Sequence, residues 1–109
     1  MGRPLTRDLE RALGAALAGE IRFDAYTRHL YSTDASMYAI EPLGVAFPRD
    51  ADDIAGAVEI AGQFGVPVLP RGAGTSLAGQ TVGRVVVLDM SRYMHRLVAL
   101  EYHRIQLAE

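Results

Sequence analysis

Apolar residues return at every fourth position at the start of the chain: Leu5, Leu9, Leu13 and Leu17, with Ala12 and Ala16 beside them. That stripe predicts a helix from about Leu5 to Ala18, begun by Pro4 or Thr6 and stopped by Gly19. The next stretch, Ile21 to Glu41, is rich in Tyr and has no clean period, which predicts a short helix followed by irregular connection. From Leu43 the pattern sharpens. Leu43–Pro48 is a short apolar run closed by proline, the mark of a buried strand. Asp50 then stands as a helix N-cap with Asp53 three residues on, in a capping-box arrangement. Ile54, Ala57, Val58 and Ala61 mark the buried stripe of that helix, and Gly65 ends it. Val66–Pro70 reads as a second strand and Arg84–Met90 as a third. Continuous apolar strands around a helix predict a parallel sheet buried on both faces, with a βαβ unit at its centre. The fold class is therefore α/β, preceded by a helical segment. Arg96–Glu109 alternates weakly and reads as a fourth strand or a frayed tail.

With 109 residues there is room for one small core, divided here into a packing segment, 1–42, and the sheet unit, 43–109. Half of the residues are hydrophobic and the net charge is -2, a balance unlike a disordered chain or a nucleic-acid footprint. No Cys is present, which excludes disulfides and thiolate metal sites within this chain. All 11 basic residues are Arg, so Schiff-base chemistry and a P-loop lysine are excluded as well. No stretch of about 20 apolar residues exists to span a membrane, and a cytoplasmic location is the expectation. His29, His95 and His103 share no metal-ligand spacing. Asp50, Asp52 and Asp53 suit the positive end of a helix better than a cation. Tyr31 and Tyr38 are assigned to packing, Met90 and Met94 to filling gaps in the core. Arg92 and Arg96 are expected to pair with Asp89 or Glu101 on the surface. A small sheet with an open edge and an uncovered apolar face predicts association with further chain.

The chemistry concentrates in Arg71-Gly72-Ala73-Gly74-Thr75-Ser76-Leu77-Ala78-Gly79-Gln80, directly after the second strand. Its glycines allow tight turning and bring bare N–H groups toward a ligand, and successive N–H groups form a nest that prefers an anion. Thr75 and Ser76 add hydroxyls, and Arg71 adds a permanent positive charge. Two familiar phosphate motifs fail. Walker A requires a Lys, and the dinucleotide fingerprint has Leu77 where its third Gly belongs. Residue chemistry alone leaves a phosphate cradle and a structural crossover both open.

The order FPRDADDIAGAVEIAGQFGVPVLPRGAGTSLAGQ followed by VVVLDMSRYM resembles the first half of the FAD-binding domain of the vanillyl-alcohol oxidase, or PCMH-type, family. Upstream, YSTDASMY is similar to the glycolate and D-lactate dehydrogenase branch. The resemblance implies a short, mostly parallel sheet and FAD as cofactor. It implies that Gly72, Ala73, Gly74, Thr75 and Ser76 wrap the diphosphate, with Arg71, Gly79 and Gln80 alongside and Pro48 near the adenine. Thr75 stands where members with a histidyl-linked flavin carry His, which implies non-covalent FAD. The implied function is the FAD-binding part of an oxidoreductase acting on 2-hydroxy acids such as glycolate or D-lactate. The alternatives are a non-catalytic nucleotide- or partner-binding module and an inert remnant. The second flavin subdomain and the substrate domain of that family have no counterpart here, so the chain is expected to be a fragment without a catalytic base of its own. Its expected partners are FAD and either a second copy or the remainder of a larger flavoenzyme.

Overall fold

The computed structural model describes residues 2–35, 38–72 and 84–108. Helix α1 (Gly2–Ala16) buries Leu9 and Leu13, and Leu17 just beyond its end. Leu5, expected on the same stripe, is exposed because it lies a turn before the part of the helix that reaches the core. The chain then forms strand β1 (Glu20–Arg22) and helix α2 (Ala25–Leu30), which is capped by Asp24 accepting from the Thr27 N–H at 3.0 Å. A hairpin follows, β2 (Thr33–Ala35) with β3 (Tyr38–Ile40). The Tyr-rich stretch thus holds the short helix expected of it and three short strands that its pattern did not announce.

Strand β4 (Gly44–Phe47) leads through helix α3 (Ala51–Gln63) to β5 (Val68–Arg71), and β6 (Val86–Asp89) completes the sheet. The spatial order is β1-β4-β6-β5, with β1 antiparallel and the other three parallel. The βαβ unit is present, but its two strands are not neighbours, since β6 lies between them. Glu20, Ile21 and Arg22 pair with Phe47, Ala46 and Val45. Gly19 is required at that junction, because a Cβ there would run into the Phe47 carbonyl oxygen.

Asp50 caps α3 as its position predicted, accepting from the Asp53 N–H at 2.9 Å. The reciprocal half of the capping box is different. The Asp53 carboxylate accepts from the N–H groups of Arg49 at 3.0 Å, Ala18 at 2.8 Å and Gly19 at 2.9 Å, tying the exit of α1 to the start of α3. At the far end, Val66 N–H reaches the Ala61 carbonyl and Gly65 N–H the Gly62 carbonyl, with Gly65 at φ 69°. These paired bonds form a Schellman stop, which needs a residue tolerant of the left-handed region.

One face of the sheet, through Ala46, Val86 and Leu88, packs against Leu9, Leu13 and Leu17 and against Ala57 and Ala61 of α3. Val58, expected in the stripe of α3, is exposed, since the buried line runs through 53, 57 and 61 and position 58 lies about 100° round from Ala57. The opposite face carries Val45, Phe47 and Val87, also buried, with Tyr31 packed on them. Neither face is left bare at these positions, which corrects the expectation of an uncovered sheet. Its edges are blunted: β1 is three residues long and charged, and β5 contains Pro70.

Beyond β6 the expected strand or frayed tail is instead the helix α4 (Ser91–Ala108). Leu, Ala, Met, Arg, Glu and Gln dominate the stretch, all strong helix formers, and this outweighs the weak alternation. Asp89 accepts the Ser91 N–H at 2.9 Å, satisfying one of the donors that a helix start leaves open. Met90 packs on the core as expected, whereas Met94 is exposed, as are Leu97, Val98, Leu100, Tyr102 and Ile105. Most of the large exposed apolar residues among those described are therefore on α4, with Leu5, Tyr26, Leu30 and Val58 scattered elsewhere. Among the described residues no helix is long and apolar enough to cross a membrane.

Candidate functional site

Parallel strands present ligands at their carboxyl ends, where helix starts and loops converge. Here those ends are Phe47, Arg71 and Asp89, on three adjacent strands. Alternation along each strand sets all three on one face, since Phe47 shares the Val45 face and Asp89 the Val87 face. Arg71 is the register partner of Asp89. The last rung is closed by the Met90 N–H donating to the Arg71 carbonyl at 2.7 Å.

Tyr31 reaches this edge from the end of α2. Its hydroxyl donates to Asp89 Oδ2 at 2.5 Å, and its ring meets Phe47 edge-on, with centroids 6.1 Å apart. The Arg71 guanidinium carbon stands 5.2 Å from the Tyr31 ring centroid, and that of Arg92 stands 4.3 Å from the Phe47 ring centroid. Two cations are thus held over two touching rings. The second Asp89 oxygen accepts from the Ser91 N–H and, at 2.6 Å, from the Ser91 hydroxyl. Arg92 pairs with Glu20 at 2.9 Å across the sheet, not with Asp89 or Glu101 as its sequence neighbourhood suggested. Arg104 is the residue that meets Glu101, at 3.4 Å.

The electrostatics follow from these contacts. Partial burial pushes the Tyr31 phenol up, and donation to Asp89 raises it further, to about 12. Burial likewise pushes the Asp89 carboxyl up, but the Ser91 and Tyr31 donors and the nearby Arg71 charge outweigh it and hold the group below the usual range. At neutral pH the edge therefore carries a carboxylate, a neutral phenol and two guanidinium groups. A cavity of about 540 Å³ opens beside the first turns of α4, lined by Ser91, Arg92, Met94, His95 and Val98. Ser91 belongs both to this wall and to the Asp89 network.

Of the predicted site residues, Arg71 ends β5, and Gly72 follows it, half-buried. Pro48 is fully buried directly after β4, at the same edge of the sheet. Ala73, Gly74, Thr75, Ser76, Gly79 and Gln80 lie outside the described residues. From sequence Tyr31 is expected only to pack and Asp89 only to pair with arginines at the surface; the structure joins the two. The signal for Asp89 was present in VVVLD, where a buried strand ends on a carboxylate, but only the β5–β6 register sets that carboxylate beside Arg71. The donor set suits a diphosphate: a permanent cation stands at the mouth of a glycine-rich stretch, and the adjacent carboxylate is already engaged by Tyr31 and Ser91.

Residues 42–108 match the FAD binding domain family. The chain is 35% identical over 95 residues to a D-2-hydroxyglutarate dehydrogenase of Pseudomonas putida, covering 84% of this chain and 9% of that protein. It is 32% identical over 103 residues to the glycolate oxidase subunit GlcD of Bacillus subtilis, covering 89% of this chain and 21% of that protein. Among solved structures, 4-ethylphenol oxidase from Gulosibacter chungangensis superposes with a TM-score of 0.66 at 19% identity, over 83% of this chain and 19% of that one. BBE-like 1 from Physcomitrella patens gives 0.61 at 24% identity, over 75% and 19% of the two chains. These two likenesses show a shared fold.

Proposed function

Because the chain belongs to the FAD binding domain family, we propose that it grips the diphosphate of FAD, with the backbone of the glycine-rich stretch as the main contact. The observation that carries this reading is Arg71, set over Tyr31 at the carboxyl end of β5, at the head of that stretch. Arg71 and Gly72 would approach the diphosphate from the sheet, while Ala73, Gly74, Thr75, Ser76, Gly79 and Gln80 would wrap it with N–H and hydroxyl donors. The grip is non-covalent in this reading, because Thr75 cannot form a histidyl link and there is no Cys to form a thioether. When bound, the flavin supplies two-electron redox chemistry, and the part of these residues is to bind and orient.

The names of the relatives favour a 2-hydroxy acid such as D-2-hydroxyglutarate, D-lactate or glycolate as the substrate class of the enzyme this unit serves. The chain spans 9% of the length of the D-2-hydroxyglutarate dehydrogenase and 21% of the glycolate oxidase subunit. The exposed apolar residues of α4 support a unit that works against further polypeptide, whether a second copy or the rest of a flavoenzyme.

The test is a fluorescence titration of the 109-residue chain with FAD, AMP and riboflavin. Binding of FAD that is lost on Gly74→Val supports the reading, because a β-branched side chain blocks close approach to a backbone nest. Binding of AMP alone would favour a plain nucleotide module. Equal FAD affinity for Gly74→Val and the parent would overturn the loop assignment. Flavin that stays on the protein through acid precipitation would overturn the non-covalent grip.

A further inference from the structure

We propose that α4 pairs antiparallel with the α4 of a second copy, so that the tip of each helix seats in the cavity at the root of the other. This pairing uses neither Arg71 nor the glycine-rich stretch, and it needs no flavin. Helix α4 is tied to the body at its start, by Ser91 on Asp89 and by Arg92 on Glu20 and over the Phe47 ring. Past Tyr93, every residue from 94 to 106 is exposed. The 18 residues of the helix run about 27 Å, and most of that length stands in solvent. An unsupported stretch this short is marginal as a helix in water and draws its stability from packing an apolar face.

Such a face is present. Met94, Val98, Tyr102 and Ile105 fall within about 80° of one another around the helix, and each is about half exposed or more. Their spacing is that of a coiled-coil seam, with the β-branched Val98 and Ile105 one heptad apart.

The choice of a second copy follows from where the projection and the hollow lie. The cavity of about 540 Å³ at the root is lined by Ser91, Arg92, Met94, His95 and Val98, and the exposed tip of the same helix carries Tyr102 and Ile105. A two-fold axis crossing α4 between Ala99 and Leu100 sets Ile105 beside the partner's Met94 and Tyr102 beside the partner's Val98. Both tips then fill both cavities, and the contact closes on a dimer. Glu101, at the margin of the seam and paired with Arg104 on its own helix at 3.4 Å, decides the direction. Parallel pairing in register would set it against the partner's Glu101, whereas antiparallel pairing sets it beside the partner's Val98 and opposes the two helix dipoles. The bodies are left at opposite ends of the pair. Burying these four side chains from each copy removes on the order of 1,000 Å² in total, at the lower edge of a specific interface, which fits a dimer of micromolar affinity.

The experiment is sedimentation equilibrium of the full chain across the micromolar range, without flavin, followed by cross-linking. The parent should sediment at twice the monomer mass. Val98→Glu should weaken the dimer at least about 10-fold, while Val58→Glu, exposed on α3, leaves it unchanged. Because the chain has no cysteine, register can be read directly: Met94→Cys and Ile105→Cys chains should form a disulfide when mixed and little in either sample alone. This pair carries the test if Val98→Glu unwinds α4 by circular dichroism. A parent that stays monomeric overturns the pairing and leaves α4 to a different polypeptide. Unchanged affinity in a folded Val98→Glu chain, or single variants that cross-link as readily as the mixture, overturns it as well. A monomer that binds FAD would sink this inference while the proposed function stands.

Discussion

Asp53 is the residue whose replacement should cost the fold most for the smallest change in shape. Its carboxylate is buried, with 3% of the residue exposed, and it accepts three N–H groups from two separate segments. Charged acceptors contribute about 1.5–3 kcal/mol per hydrogen bond. In Asp53→Asn the amide oxygen can take the place of Oδ2 and keep the bonds from Gly19 and Arg49. Its NH₂ must then face the Ala18 N–H, donor against donor, and the two retained bonds lose their charge. The net loss is about 2–4 kcal/mol, which lowers Tm by roughly 8–16 °C for a domain of this size. The pH dependence adds a second check. Burial pushes the carboxyl up, but the three N–H donors outweigh it, so the folded-state pKa lies below the ordinary 3.8. A depressed folded-state pKa gives stability that is complete above 3.8 and lost as pH falls through the folded value. The gap between parent and Asp53→Asn should therefore be full at pH 7 and narrow as the pH drops below 3.8, while other carboxylates titrate equally in both chains. Urea unfolding followed by circular dichroism at a series of pH values measures it. Equal midpoints at neutral pH, or a gap that does not close in acid, would refute the reasoning.

Other replacements test the remaining joints. Gly65→Val forces a β-branched residue to φ 69° and should cost about 1–3 kcal/mol in thermal unfolding, with the core left intact; no loss would mean that the Schellman stop is dispensable. Leu13→Ala empties the centre of the α1–α3 packing and should cost about 2–5 kcal/mol in urea, whereas Leu5→Ala should cost under about 1 kcal/mol. For Tyr31 the sign is opposite to that of Asp53. Its folded pKa is raised from 10.0 to about 12, so its contribution is complete below pH 10.0 and lost as pH rises through 12. An ultraviolet difference titration of the parent against Tyr31→Phe should show that phenol ionising near 12, and ionisation near 10.0 would break the link to Asp89.

The fold was legible wherever the determinants are local. The Asp50 cap, the Gly65 stop and the three apolar runs are each read within a few residues and are found at those places, and the fourfold leucine spacing marks a helix that runs Gly2–Ala16 and buries Leu9, Leu13 and the following Leu17 but not Leu5. The misses are places where something distant decides. Val58 is as apolar as its neighbours, and only the direction of the core shows that it faces outward. The place of β6 between β4 and β5 is set by pairing across the sheet, to which local propensity is blind. Asp53 looked like half of a capping box, because a helix start was its near neighbour, while two of its three partners come from the end of α1. In α4 strong helix formers that start against Asp89 outweigh the weak alternation of the stretch.

The candidate site divides along the same line. A glycine-rich run after a strand announces its chemistry in sequence, because turning freedom, bare N–H groups and an adjacent cation are properties of consecutive residues. The ring beneath that cation and the carboxylate beside it are not consecutive with it. Tyr31 and Asp89 are 58 positions apart, and their meeting depends on α2 ending where it does and on β6 being paired with β5 at that rung. Tyr31 looks like packing because its ring does pack, against Phe47, while its hydroxyl also donates to Asp89. Asp89 looks like a surface charge because it follows the last buried residue of its strand. The carboxyl edge of a parallel sheet turns such residues into neighbours. Residues at the ends of apolar runs, unremarkable one by one, are therefore the ones to examine as a group when a glycine-rich loop leaves from the same edge.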